Sequence, residues 1–379
     1  MKKHRILKIS GGIILFLIVI YLILPFHLKQ GIKYFTPDID DYKIFSNNTV
    51  KAGNYQAWKI SENINKQKLD NKYLKEFEKL ETKAFLVIQN KEIQYEKYWD
   101  SYNENSYSNS FSMAKTIVSL LIGIAIDEGK IKSVNQAVGD FIDNFNNGEN
   151  AELTIKDLLT MSSALDWDER YASPFSKTTK LYYGKNIEEF VLKLDVVEEP
   201  GKEFKYYSCN TQILASILKK VTGKSLSTYA SEKIWQVIGA KNDALWSTDK
   251  KGGTEKAYCC FNSNARDYAR LGQLVLNNGK WNEKQVISKK YIKEASSPAT
   301  YLKTKKGKEV NFYGYQFWII NHKGFEIPYF RGILGQYIFI IPHKNAVVVR
   351  LGEKRDKKSE TAHPQDVFMY LDATMDILK

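Results

Sequence analysis

Phe111-Ser112-Met113-Ala114-Lys115-Thr116 opens an apolar run that continues to Ile126 and stops at Asp127-Glu128-Gly129. The uncharged stretch after Lys115 has helical length and a glycine stop, so the pattern predicts a buried helix that begins at Ser112. Residues three apart share a helix face, which brings Lys115 Nζ within reach of Ser112 Oγ. The first turn carries the positive end of the helix dipole and favours negative charge developing on that oxygen. A serine with a lysine at this spacing activates a hydroxyl without histidine, and reads as the nucleophile of a serine hydrolase.

The same Ser-x-x-Lys spacing recurs at Ser216–Lys219 and Ser247–Lys250, as expected with 56 Lys and Arg of which only seven are Arg. Ser216 lies inside the apolar run Ile213–Leu218, and Ser247 sits in the turn-like Trp246-Ser247-Thr248-Asp249. Neither opens a helix. The plain alternative for Ser112 is an N-cap serine.

Composition bounds the rest. With 379 residues, 43% hydrophobic and 26% charged, the chain is globular. The net charge of +13 comes from lysines spread along the whole chain. It forms no arginine cluster, RNP-like stretch or zinc-finger spacing, so nucleic acid is not expected as a partner. Cys209, Cys259 and Cys260 do not make a disulfide framework, and the adjacent pair reads as small buried apolar residues. No metal-ligand spacing and no Gly-x-Ser-x-Gly is present, and no cofactor is implied.

The N-terminus is basic through Arg5, and Ile9–Phe26 is uncharged over about 18 residues, near the lower limit for spanning a bilayer. A small-x-small cleavage site is missing around Leu24-Pro25-Phe26-His27. The segment is expected to be an uncleaved signal anchor in the cell membrane, its N-terminus cytoplasmic and the remainder extracytoplasmic. The organisation that follows is a short tail over 1–8, a transmembrane anchor over 9–26, a tether over 27–68 and one catalytic domain over 69–379.

Within that domain, helical character over Asp70–Lys83 precedes a hairpin of strands at Ala84–Gln89 and Ile93–Trp99. Helices follow at Ser112–Ile126, Thr154–Met161, Ile187–Leu194, Thr211–Lys220 and Ala265–Leu276. Strands return at Tyr313–Ile320, Gln336–Ile341 and Ala346–Leu351, and a helix closes the chain over Asp366–Leu378. Strands at both ends with helices between predict an α+β, two-lobed fold. An antiparallel sheet is built from both chain ends and flanked by helices, and the inserted lobe is mostly helical.

A Ser–Lys pair needs a third group to carry protons to the leaving atom, and a tyrosine near cations can serve. Tyr206, Ser208 and Asn210 alternate in Phe204-Lys205-Tyr206-Tyr207-Ser208-Cys209-Asn210-Thr211, and an extended stretch would point them one way. An oxyanion hole is also required. Ser112 supplies one backbone N–H, and Gly332-Ile333-Leu334-Gly335-Gln336, at the head of the strongest strand, lets backbone approach a ligand.

With these residues in place the chain resembles the serine β-lactamase/penicillin-binding-protein superfamily. It is most similar to the class C-like branch of DD-peptidases, esterases and 6-aminohexanoate-dimer hydrolase. The resemblance runs in order over about residues 80–352, through Phe111–Lys115, Asp157–Ser163 with Trp167, Phe204–Thr211, Asn264–Arg270, and Gly332–Gln336 with Pro342. It implies a β-lactamase/transpeptidase-like fold. Ser112 would be the acylated nucleophile, Lys115 its base partner, and Tyr206 the family tyrosine, with Tyr207 replacing it if the register slips by one. Ser208, Asn210 and Gly335 would support them, and the N–H of Gln336 would complete the oxyanion hole with that of Ser112. Where the family usually places Lys or His stands Ile333, which argues against a substrate carboxylate. Trp167, Asp168, Tyr182, Tyr183, Tyr207, Tyr313, Tyr315 and Ile333 are candidates to line the cleft.

The function expected is a membrane-anchored extracytoplasmic serine hydrolase acting on a small or peptide-like ester or amide through an acyl-enzyme. The alternatives are a penicillin-binding, DD-peptidase-like or weak β-lactamase protein of peptidoglycan metabolism, and a non-catalytic sensor or binding module that keeps the fold.

Overall fold

The computed structural model describes residues 2–171, 173–356 and 361–378. Two helices lead the chain, α1 (Lys2–Ile23) and α2 (Phe26–Tyr34), parted at Pro25, whose missing N–H and fixed φ end the first. The expected membrane span is corrected here: among the described residues no helix is long and apolar enough to cross a membrane. Lys2, Lys3, Arg5 and Lys8 take up the opening turns of α1. The uncharged part from Ile9 to Ile23 covers only about 22 Å at 1.5 Å per residue, short of a hydrocarbon core of about 30 Å.

The remaining elements follow local signals. After β1 (Ser46–Val50) and β2 (Lys59–Ile60), α3 (Asn71–Lys79) starts where Asp70 accepts from the Lys72 N–H. It stops short of the predicted Lys83, which lies in β3 (Thr82–Gln89). Asn90 and Lys91, both with left-handed φ, turn β3 into β4 (Glu92–Tyr98). Then come β5 (Ser108–Asn109) and α4 (Met113–Asp127). The central helices are α5 (Ile155–Leu159), started by a Thr154–Asp157 capping box, α6 (Lys177–Tyr183), α7 (Ile187–Val191), α8 (Ser208–Thr222), closed by left-handed Gly223, and α9 (Leu226–Ala230). β6 (Ala244–Thr248), β7 (Phe261–Ser263), α10 (Ala265–Leu276), the short β8 (Lys280–Trp281) and β9 (Lys284–Gln285), and α11 (Lys289–Ala295) follow. The chain ends with β10 (Trp318–His322), β11 (Phe325–Gly332), β12 (Gln336–Ile341), β13 (Ala346–Gly352) and α12 (Gln365–Ile377).

Two departures from the sequence reading fall at the β10–β11 edge of the large sheet. Tyr313–Phe317 is a turn, with Gln316 at φ 62°, rather than the first half of a strand. β11 was not expected, because Pro328 interrupts its apolar pattern; it pairs with Ile319 of β10.

The large sheet runs β10–β11–β12–β13–β3–β4–β2, antiparallel except at β2/β4, and β13 against β3 joins the two ends of the catalytic region. Its central strands β12 and β13, and most of β3, are apolar at nearly every position because both faces are covered, while β4 and β2 at the edge are not. Leu86 and Ile88 of β3, Ile338 and Ile340 of β12, and Val347 and Val349 of β13 face one core with α4, α8 and α10. Their neighbours Phe85, Val87, Tyr337, Phe339 and Val348 face the other, with Phe77 and Tyr370 of the terminal helices. A smaller sheet, β1–β6–β7–β5, sits beside the start of α4.

Gly272 is where α10 meets the large sheet. A Cβ there would lie 2.6 Å from Val347 Cγ1 and 2.8 Å from Ile338 Cγ2. In an open helix, replacing glycine would stabilise by about 1 kcal/mol. Here packing reverses the sign, and Gly272→Leu should lower unfolding stability by about 1–3 kcal/mol in urea titration, the range for overpacked cores. An unchanged midpoint would show that α10 can lift freely from the sheet.

Candidate active site

Ser112 is presented by a tightly specified corner. Ser110 N–H donates to the Phe261 carbonyl at 2.8 Å, and the Asn109 side chain accepts the Phe111 N–H at 2.9 Å. Phe111 holds φ 43°, a conformation rare for a bulky residue, between β5 and α4. Gly332 packs against the same corner, where a Cβ would be 2.3 Å from the Ser110 carbonyl oxygen. Ser112 occupies the N-cap position, yet its side chain makes no capping bond. Its Oγ accepts from Lys115 Nζ at 3.2 Å.

Lys115 is 1% exposed. Its ammonium donates to three oxygens: Ser112 Oγ at 3.2 Å, Ser208 Oγ at 3.2 Å and the Tyr258 carbonyl at 2.8 Å. The rings of Tyr206 and Tyr258 flank it at 5.2 and 5.4 Å. Burial disfavours the charged amine and draws its pKa down to about 8, against the opposing pull of Glu169. The neutral amine is therefore a minor form at neutral pH and becomes the major one above about pH 8.

Tyr206 lies in the extended stretch before α8, its ring 5.2 Å from Lys115 Nζ, and the Ser112 side chain pulls its pKa down against burial. Burial raises its pKa, so the phenol keeps its proton at rest, whereas the sequence reading let nearby cations lower it. Tyr313, fully buried, packs edge-on to Tyr206 at 6.0 Å. Tyr207 is the N-cap of α8, half-buried against the core, with its N–H on Met161 Sδ. Of the two tyrosines it is Tyr206 that meets Ser112 and Lys115.

Ser208 is the first residue of α8 and joins Lys115 to a carboxylate that sequence reasoning passed over. Ser208 Oγ donates to Glu169 Oε1 at 2.6 Å, and its N–H donates to Glu169 Oε2 at 2.8 Å. Trp167 Nε1 and the Tyr171 hydroxyl hold the same carboxylate. Glu169 stands alone in a loop without periodic pattern; only the neighbouring Trp167 and Asp168 had pointed there. Asp168 instead pairs with Arg170 at the surface.

Asn210 does not join the site. Once α8 begins at Ser208, two residues on is about 200° around the helix rather than the same side. Its amide meets Ser163 and Met161 in the interior. Gln336 is likewise elsewhere: it pairs with Gly332 in the β11/β12 ladder, and its side chain bonds both polar groups of Gly352. Gly335, at φ 83°, lies against the Arg350 guanidinium, which donates to the Leu334 and Gly335 carbonyls. Ile333, ahead of this turn, is the residue that reaches the cavity wall beside Ser112.

That cavity, of about 390 Å³, is lined by Ser112, Ser208, Tyr171, Tyr182, Tyr183 and Ile333 among others, and none of the described residues that line it is charged. Tyr315 packs on Tyr291, outside it. Cys259, at its edge, is disulfide-bonded to Cys260, contrary to the expectation of free apolar thiols. Cys260 is left-handed (φ 66°), and the pair follows the turn that offers the Tyr258 carbonyl to Lys115.

Comparison with known proteins agrees with this geometry. The Beta-lactamase family model matches residues 71–368. The 6-aminohexanoate-dimer hydrolase of Paenarthrobacter ureafaciens is 26% identical over 313 residues, covering 77% of this chain and 78% of that one. Among solved structures, a Bacillus anthracis protein named for 6-aminohexanoate-dimer hydrolase superposes with TM-score 0.73 at 23% identity, over 90% of this chain and 92% of that one. A family VIII carboxylesterase does so with TM-score 0.65 at 17% identity, over 85% and 99%. The chain belongs to the beta-lactamase family and is a serine hydrolase with that mixed α/β fold.

Glu169 raises the pKa of Lys115 while burial lowers it, so removing its charge should lower that pKa further. If the neutral amine is the working base, kcat/KM for an activated ester rises with pH through a limb near 8. Glu169→Gln should then move that limb to lower pH. A limb that stays in place would show that the carboxylate does not govern the charge of Lys115.

Proposed function

We propose that this protein hydrolyses a neutral ester or amide through an acyl-enzyme on Ser112. The observation that carries the reading is the buried Lys115 amine bonded to a serine hydroxyl left uncommitted by its helix. Lys115 Nζ takes the Ser112 proton as Oγ bonds to the substrate carbonyl carbon. The oxyanion that forms accepts the backbone N–H groups of Ser112 and Ile333, the strand-end residue at the cavity wall. As the carbon–oxygen or carbon–nitrogen bond breaks, the Tyr206 phenol gives its proton to the leaving atom, and the proton on Lys115 returns to Tyr206. Water then attacks the acyl-enzyme, its proton passes back to the Lys115–Tyr206 pair, and Ser112 leaves with a proton restored.

A neutral substrate is supported by the lining, which among the described residues holds no cation to meet a carboxylate. The relatives named as hydrolase and carboxylesterase agree with this chemistry. We also propose that the catalytic region is extracytoplasmic, because basic residues precede the uncharged Ile9–Phe26 stretch, a composition shared with export signals.

Intact-protein mass after fluorophosphonate treatment tests the reading. One phosphonyl adduct is expected on the parent and none on Ser112→Ala. Hydrolysis of an activated ester should fall by about 10³-fold or more in Ser112→Ala and in Lys115→Ala, the scale for removing a nucleophile or its base. Fluorescent penicillin, which carries a carboxylate, should label Ser112 poorly; strong labelling would move the reading to the penicillin-binding alternative.

A further inference from the structure

The site is walled on one side by a part of the chain that lies outside the family match. Gly31, Ile32, Phe35, Thr36 and Pro37 line the cavity, and all precede residue 71. They are clamped in place. Gly31 of α2 faces α6, where a Cβ would sit in ordinary contact with Thr179 Cγ2 at 3.7 Å and Tyr183 Cδ2 at 3.9 Å. Tyr34 stacks on Tyr183, and Leu28 is buried. Beyond the cavity, Asp41 accepts the Tyr182 hydroxyl at 2.5 Å, and the Asn109 N–H, three residues before Ser112, donates to the Ile39 carbonyl.

The lining is mostly apolar, although the buried hydroxyls of Tyr183 and Tyr258 have no hydrogen-bond partner among the described residues. Phe111, Pro174, Tyr182 and Tyr183 lie opposite this wall. The hydroxyls of Thr178 and Thr179 are spent on the Asp168 and Ser173 carbonyls, and that of Tyr171 on Glu169. At the opening, Ile32 and Phe35 are 55% and 87% exposed, an unfavourable display for large apolar groups unless something apolar passes them. Phe35 is held there in a left-handed conformation, φ 55°.

We propose that the cavity between α2 and α6 is an acyl-chain site: the substrate is an ester or amide of an unbranched, uncharged, apolar acid of several carbons. Its carbonyl sits at Ser112 and its chain lies along Ile32 and Phe35, so residues 31–37 determine specificity. This rests on Ser112 being the nucleophile.

The test uses the full chain and p-nitrophenyl acetate, butyrate, hexanoate and octanoate, with fluorophosphonate labelling run in parallel. kcat/KM should rise about fourfold per added methylene as far as hexanoate, the transfer free energy of one buried CH₂. The p-nitrophenyl monoester of adipate, as long as hexanoate but ending in a carboxylate, should fall below acetate, because the charge would enter a site with no partner. Ile32→Asp should collapse the hexanoate-to-acetate ratio by about tenfold or more, and Ile32→Leu should retain it; both substitutions fall at a half-exposed position. A flat or falling series on protein that labels at Ser112 overturns the acyl-chain site and leaves the hydrolase reading intact. Failure to label overturns both. A series that rises equally in Ile32→Asp overturns the assignment of specificity to residues 31–37.

Discussion

The ammonium of Lys115 has almost no contact with water, and four separate pieces of chain are arranged around that fact. Removing such an ion from solvent costs several kcal/mol even after relaxation. The protein meets it with one fixed acceptor, the Tyr258 carbonyl, and two hydroxyls that can turn, those of Ser112 and Ser208. A carboxylate stands one bond further out, on Ser208. Had Glu169 bonded Lys115 directly, the amine would be held charged and useless as a base. Held through a hydroxyl, it is near enough to moderate the desolvation and too far to cancel it. The starts of α4 and α8, the Tyr258 turn and the Glu169 loop are thereby tied to one nitrogen.

The same burial acts with opposite sign on Tyr206, which favours the direction of proton transfer proposed for this site. Desolvation penalises whichever form is charged, so it lowers the lysine and raises the tyrosine. The resting pair is drawn toward neutral amine and neutral phenol, one ready to accept a proton and the other ready to donate one. An acid and a base thus arise from one environment without a histidine.

Much of this was legible in the sequence because it is local. Ser112 and Lys115 are three apart on a helix whose apolar run and glycine stop are unmistakable, and Tyr206 and Ser208 flank the start of another. Legibility ends where a result depends on the exact place an element begins. Asn210 was grouped with Tyr206 and Ser208 by alternation, which fails once α8 starts at Ser208. The N–H of Gln336 was expected to complete the oxyanion hole; β11, whose apolar pattern Pro328 interrupts, extends to Gly332 and pairs with Gln336 across a three-residue turn, and Ile333 in that turn lines the cavity. Glu169 had no signal at all, since a lone loop carboxylate acquires meaning only from what it faces. Contacts between distant segments were equally silent: nothing in Gly31–Pro37 announces that it will fold onto α6, some 150 residues later.

The cation that the family motif usually carries at the position of Ile333 bears on both recognition and proton positions, and in this chain those two duties come apart. Arg331, two residues earlier, sits over the Trp318 ring and donates to the Ala362 carbonyl. Its field lowers the pKa of Tyr206 and Tyr313, partly offsetting their burial. It does not line the cavity, where Ile333 stands instead. Positive potential is thus kept behind the tyrosine, where it assists the developing charge of proton transfer, and withdrawn from the face that meets substrate. An enzyme that had simply lost its cation would have weakened catalysis and recognition together. A cation behind the tyrosine can act on proton transfer without meeting substrate, so the proposed chemistry is compatible with an uncharged lining among the described residues.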